Sequence, residues 1–424
     1  MLTRGRLARY GIAVAPAAIL GLPFSIYLPP YLVESGAAPV ALIGFFFLVS
    51  AIWDGLVDPI IGTAIDRQRS ANVQHWQWMV RSAIPLALLV GVIIFYPTAL
   101  PSFALLLALL LLYSAYSVYD VAHAAWGAGL TTTAPETARI FGAREFWSKI
   151  SLILAFGLPA AMQAFDPGVD LFSRIAAYTG LAVATIPLAL LASQGLPKAT
   201  PVLHAPINWR KEIEATLKSP LLLLLVGTRV FGAVAVGALA SLFVFFADGV
   251  LRLERAGSIL LFCTFFGGAF GVPIWTWLGV RYGKANVLIW LFGWIAFTLS
   301  SALILAPGNL IPALIFAFAL GSGFVLPIFL FGLMADVAPH DARQSGRDRT
   351  AFLCSLLTVS EKLGNAMAIG ISYSLLGFLG FNAAAPEASA TTILVLFVGI
   401  PIAALAFAAV LVARLKPRLT ALQV

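Results

Sequence analysis

The sequence predicts an all-α integral membrane protein with twelve transmembrane helices in two six-helix halves. Three observations carry this reading. Only 10% of the 424 residues are charged and 61% are hydrophobic, with a mean hydropathy of +0.98, whereas soluble domains are about 25% charged. Apolar runs of about 20 residues, the length a helix needs to cross the hydrocarbon core, recur along the chain. One long polar connection divides them six and six.

Runs and breaks place the first six spans near 10–33, 39–65, 76–97, 101–126, 143–165 and 172–194. The second six lie near 220–247, 256–280, 285–306, 309–336, 350–380 and 390–414. The run after "MLTRGRLARY" has the flank of a signal peptide. It is longer than the usual apolar core of one and ends without a clear cleavage site, so it reads as a retained helix.

Lys and Arg in short loops set orientation. Arg4, Arg6 and Arg9 precede the first span, and Arg67, Arg69, Arg139, Arg210, Lys211, Lys218, Arg281, Lys284, Arg343, Arg347 and Arg349 fall in the even-numbered connections. Arg414, Lys416 and Arg418 close the chain, while the opposite loops hold only Arg174, Arg252 and Arg255 beside several acids. Both termini are therefore expected in the cytoplasm of a multi-pass cell-membrane protein, the inner membrane if the source is bacterial. The net charge of +8 is this topology bias, and no nucleic-acid partner is read from it. Cys263 and Cys354 both lie in expected spans, which excludes a disulfide framework. The four histidines are scattered, and no nucleotide-binding loop occurs, which argues against ATP-driven transport and against any cofactor.

The polar connection "LPKATPVLHAPINWRKEIEATLKSP" gives the domain plan: a bundle over 1–195, a cytoplasmic linker over 196–218 and a second bundle over 219–424. Within it "NWRKEIEATLK" reads as a short amphipathic surface helix. The halves echo each other. Asp120-Val121-Ala122 ends the fourth span and Asp336-Val337-Ala338 the tenth; each precedes a basic loop and a span with an early lysine, Lys149 or Lys362. Parallel six-span repeats are the plan of major facilitator transporters, with a midplane site between rocking halves.

Ionisable residues inside spans are costly and mark function. In "AIWDGLVDPIIGTAIDR", Asp54 and Asp58 stand at i and i+4 and share a helix face. Their repulsion is relieved by a bound cation or by protonation of one of them, and either makes a coupling-ion site. The competing account is a span that ends early and leaves the pair in water. Asp120 follows Tyr113, Tyr116, Ser117 and Tyr119, with the Ser117 hydroxyl one turn back; the alternative is an interfacial tyrosine belt. Lys362 lies well inside the eleventh span beside Glu361, which as an i−1 neighbour faces elsewhere. Lys362 is expected to meet carboxylates of the other half, or else to serve a structural ion pair. Arg229 is buried in the seventh span, with substrate and structural roles both open. Arg144 and Lys149 open the fifth span, either reaching the cavity or serving as positive flanks. Trp126, one of ten tryptophans, offers a surface for a sugar ring or an acyl chain.

"WDGLVDPIIG" resembles the second-helix motif W-D-x-x-x-D-P-x-x-G of the glycoside–pentoside–hexuronide:cation symporters, the melibiose permease family. "YDVAHAAWGAGLTTTAPETARIFGAREFW" and "MADVAPHDARQSGRDRTAFLCSLLTVSEKLG" extend the resemblance to both halves. It implies cation binding by Asp54, Asp58, Ser117 and Asp120, with Asp54 and Asp58 as metal ligands if the ion is Na+. It also implies substrate contacts by Asp120, Arg144 and Lys362. Two departures stand out. The family's first-helix sugar-binding aspartate has no counterpart in "YGIAVAPAAILGLPFSIYL". Its stacking tryptophan is replaced by Ala124, with Trp126 two residues on.

The expected function is cation-coupled symport of a glycoside or similar small solute by a monomer in the lipid bilayer, with H+ or Na+ as the coupling ion. The single obvious hydroxyl favours the proton. The rival readings are a lysophospholipid carrier and a proton-driven exporter of amphipathic compounds. No nucleophile–base pair or metal cluster supports an enzyme.

Overall fold

The computed structural model describes residues 3–69, 75–130, 134–166, 168–194, 196, 214–253, 256–345, 350–382 and 386–422. Among them the regular structure is entirely helical. The chain divides into two compact units, Met1–His204 and Ala205–Val424. Most of the expected linker lies outside the described residues, as does its surface helix apart from 214–218, of which 214–217 are helical.

The first unit comprises α1 (Arg4–Ile12), α2 (Ala15–Glu34), α3 (Val40–Arg69), α4 (His75–Phe95), α5 (Ser102–Gly129), α6 (Ala134–Phe165) and α7 (Leu171–Ser193). The first predicted span is thus two helices rather than one. Pro16 has no N–H for the Ile12 carbonyl and its ring clashes there, so the α-helix stops at Ile12 and restarts at Ala15. Asp170 caps α7 by accepting the Ser173 amide at 2.9 Å. Hydrogen bonds from the Ser173 hydroxyl and amide hold its carboxyl below the usual aspartate range.

The second unit comprises α8 (Pro220–Phe245), α9 (Gly257–Tyr282), α10 (Lys284–Ser301), α11 (Leu310–Ser322), α12 (Leu326–Ser345), α13 (Thr350–Phe378) and α14 (Ala390–Leu422). Ser219 and Pro220 start α8 in the preferred cap and first-turn positions. A π-helical turn, Phe246–Val250, ends it, with Phe246 stacked on Phe397 at 4.0 Å. Glycine brings α9 and α11 together: a Cβ at Gly321 would stand 1.7 Å from the Thr264 carbonyl oxygen, and one at Gly271 2.1 Å from that of Ser322. Small residues at such crossings are how membrane helices gain packing without a hydrophobic driving force.

Eleven helical stretches among the described residues are long and apolar enough to cross a membrane, and large apolar side chains such as Phe103, Val280 and Phe297 face outward. The predicted eleventh span is α13, which is 29 residues long but is not one of the eleven, because Ser360, Glu361, Lys362 and Asn365 lie mid-helix. The helices also outrun the predicted spans. Helix α6 begins at Ala134 where a connection to 142 was expected, α12 runs to Ser345 and α14 to Leu422. Apolarity marks only the hydrocarbon-crossing part of a helix, while Ala, Arg, Glu and Lys continue it beyond that part at little cost.

Candidate functional site

Helix α3 runs unbroken to Arg69, so Asp54 and Asp58 lie within the helix rather than at its end. Asp54 is buried and Asp58 half-buried. Ser117 of α5 donates its hydroxyl to Asp54 Oδ1, and the neighbouring residues repeat the tie: Trp53 Nε1 donates to Ser114 Oγ at 2.8 Å. The two contacts fix the register of α3 against α5. The sequence reading missed Ser50. It lies one turn before Asp54 on the same helix face, is wholly buried, and its hydroxyl meets no hydrogen-bond partner among the described residues. The i, i+4 spacing that singled out the aspartates points to it as well.

The second cluster joins α1, α5 and α6. Arg144 Nη2 of α6 donates to Asp120 Oδ1 of α5 at 2.5 Å, with side chains 19% and 33% exposed. Arg144 Nε also donates to His123 Nδ1 at 3.3 Å. The His123 ring is buried, lies 4.5 Å from the Tyr10 ring in a near-parallel stack, and sets Nε2 2.9 Å from the Tyr10 carbonyl oxygen. Of the two basic residues opening the fifth span, Arg144 turns inward while Lys149 is exposed. Trp126 is buried, packed edge-on against Tyr10 in the core of this unit. His123 and Tyr10 escaped the sequence reading because a lone histidine and a tyrosine at the very start of the first span carry no spacing signal.

In the second unit Arg229 of α8 is buried and pairs with Glu361 of α13, and the Phe331 ring lies 5.9 Å from its guanidinium carbon. Close backbone approach makes this contact possible. A Cβ at Gly364 would stand 2.5 Å from the Val230 carbonyl oxygen, and one at Gly237 2.9 Å from Asn365 Cα. Lys362, half-buried, follows Glu361 on α13. Asp336, the sequence echo of Asp120, pairs with Lys284 of α10 at 2.7 Å. The echo therefore holds an ion pair in both units but takes its cation from a different helix in each.

Residues 9–417 match the model of the MFS/sugar transport protein family. The chain belongs to that family. An uncharacterized symporter of Bacillus subtilis, YjmB, is 22% identical over 371 residues, covering 84% of this chain and 79% of its own. A second uncharacterized symporter, sll1374 of Synechocystis, is 35% identical over 79 residues, 19% of this chain and 14% of its own. The crystal structure of the nucleoside transporter NupG superposes with a TM-score of 0.70 at 12% identity, covering 98% of this chain and 99% of that one. A bacterial homologue of the lysosomal transporter Spinster gives 0.63 at 13% identity, covering 97% and 96%. The fold is the all-α major facilitator fold, and the protein is a transporter, not an enzyme.

Proposed function

We propose that this MFS/sugar transport protein is a Na+-coupled symporter of a glycoside or similar small polar solute, working by alternating access. The observation that carries the reading is the oxygen set on one face of α3. Asp54 and Asp58 stand one turn apart, Ser117 is hydrogen-bonded to Asp54, and one turn before them the Ser50 hydroxyl has no hydrogen-bond partner among the described residues. A proton needs only a carboxylate, whereas a metal ion such as Na+ needs several oxygens. Two hydroxyls beside two carboxylates therefore favour Na+.

In this reading Na+ between Asp54 and Asp58 cancels their repulsion. Asp120 accepts substrate hydroxyls and Arg144 donates to substrate oxygens. Trp126, enclosed in its own unit, is left out of the substrate set. Linkage then requires Na+ and substrate to raise each other's affinity by the same factor.

The test is a fluorescence titration of the purified protein with methyl β-D-galactoside, methyl β-D-glucoside, methyl β-D-glucuronide and a lysophosphatidylcholine. Each is run with and without Na+ at two pH values. A saturable glycoside response strengthened by Na+ and lost in Asp58→Asn supports the proposal. A response to lysolipid alone keeps the ion site and replaces the substrate. A response strengthened by acid and indifferent to Na+ replaces the coupling ion.

A further inference from the structure

We infer that His123 is a positioning residue for Arg144, through which the Tyr10 carbonyl of the broken first span aims that arginine at Asp120. The inference rests on the proposed role of Asp120 and Arg144 in contacting substrate, and it adds a third helix to that role.

Hydrogen-bond chemistry fixes which imidazole nitrogen carries the proton. Nε2 faces the Tyr10 carbonyl oxygen at 2.9 Å, and a carbonyl only accepts, so Nε2 carries the proton. Nδ1 faces Arg144 Nε at 3.3 Å, and a guanidinium only donates, so Nδ1 presents its lone pair. Both neighbours select one tautomer of a singly protonated ring. A second proton would have to sit on Nδ1 against the Arg144 cation. Among the described residues, the charged and titratable groups acting on the ring are Arg144 from α6, Tyr10 from α1 and Asp120 from its own helix.

The first span has its own reason to supply that carbonyl. Pro16 ends α1 at Ile12, so the carbonyls of its last turn lack their usual helical donors. The Tyr10 carbonyl accepts the Ala13 amide at 3.2 Å and the His123 ring as well, and Tyr119 donates its hydroxyl to the Ala13 carbonyl at 2.9 Å. Side chains of α5 thus satisfy the break. The fit is tight on both sides. A Cβ at Gly127 of α5 would stand 2.0 Å from the Tyr10 hydroxyl, and one at Gly11 of α1 2.2 Å from Trp147 Cδ1 of α6. The imidazole is seated to within a ring stack, and Arg144 is held at two atoms, Nε by His123 and Nη2 by Asp120. The first span contains no acid; its polar contribution to this pair is a backbone carbonyl relayed through His123.

Two measurements test the inference. In 15N-histidine-labelled protein in lipid nanodiscs, with His123→Asn identifying the signal, His123 is expected to show one protonated and one lone-pair nitrogen, in a single tautomer. In Arg144→Met the lone-pair nitrogen loses its donor, and its signal is expected to move while that of the protonated nitrogen holds. A second proton on His123 in the unaltered protein, or a mixture of tautomers there, overturns the inference.

In methyl glycoside titrations, His123→Phe keeps the stack on Tyr10 but loses the acceptor. It is expected to raise the half-saturating concentration about tenfold, the worth of a hydrogen bond to a charged group. His123→Asn sets Oδ1 near the place of Nδ1 and is expected to stay within about threefold of the unaltered protein. Na+ affinity without glycoside is expected to be unchanged in both, which a loss of structure would not allow. Unchanged glycoside affinity in His123→Phe overturns the inference. If the unaltered protein binds none of the glycosides, it is the symporter reading that falls, and the nitrogen signals decide the role of His123 by themselves.

Discussion

Glu361→Gln is expected to destabilise the second unit more than Arg229→Met does, although each breaks the same ion pair. The asymmetry follows from burial: the Arg229 side chain is 4% exposed and that of Glu361 40%. Glutamine still accepts a hydrogen bond but no longer neutralises the guanidinium. That group is buried, its Nε already lacks a hydrogen-bond partner among the described residues, and the Phe331 ring compensates only weakly at 5.9 Å. Stranding a buried charge costs about 3 kcal/mol. Arg229→Met replaces the aliphatic stem with similar volume and leaves a carboxylate that can turn to solvent, at about 1 kcal/mol. The double variant removes both charges and is expected to be more stable than Glu361→Gln alone, by about 1–2 kcal/mol. The assay is denaturant unfolding in detergent micelles of all four proteins under one condition, followed by tryptophan fluorescence. Equal losses for the two single variants, or a double variant no better than Glu361→Gln, would refute the reasoning.

Two glycines separate contact from propensity. Gly321→Ala forces the backbones of α9 and α11 apart and is expected to cost about 3 kcal/mol. Gly91→Ala in α4 meets nothing within 4 Å and is expected to stabilise by about 0.5–1 kcal/mol in the same unfolding assay. Asp170→Ala removes the α7 cap and is expected to cost about 1 kcal/mol near neutral pH. Because the folded state lowers the Asp170 pKa, its contribution is full above the ordinary aspartate pKa and disappears as pH falls through the lower folded value. The gap between the two proteins should therefore close in acid. Ser117→Ala removes one oxygen of the proposed ion site, so it is expected to raise the Na+ concentration needed for half-maximal glycoside binding about tenfold, while Ser117→Thr keeps it near that of the unaltered protein.

The order of the helices and their hydrocarbon-crossing parts were legible, because hydrocarbon imposes a length and an apolarity that few sequences meet by accident; how far each helix runs beyond that part was not. The pairing of Asp54 with Ser117 was legible in part. Helical spacing put Ser117 one turn from Asp120, but only the packing of α3 on α5 shows that its hydroxyl goes to Asp54. Arg144 and Lys149 looked equivalent in sequence, and helix rotation alone turns the first inward and the second outward. Glu361 was read as independent of Lys362, and its partner proved to be Arg229, 132 residues away, brought close by Gly237 and Gly364. The break at Pro16 carried a clear local signal that a continuous apolar run concealed. His123 carried none, because a tautomer is fixed by what stands on either side of the ring.

The most direct test of the account is uptake of radiolabelled methyl β-D-galactoside, glucoside and glucuronide into proteoliposomes under an imposed Na+ gradient. The account requires accumulation of at least one above its external concentration only while the gradient lasts, and none in folded Asp58→Asn protein. Uptake that merely equilibrates regardless of the gradient, or accumulation by Asp58→Asn equal to that of the unaltered protein, would contradict it.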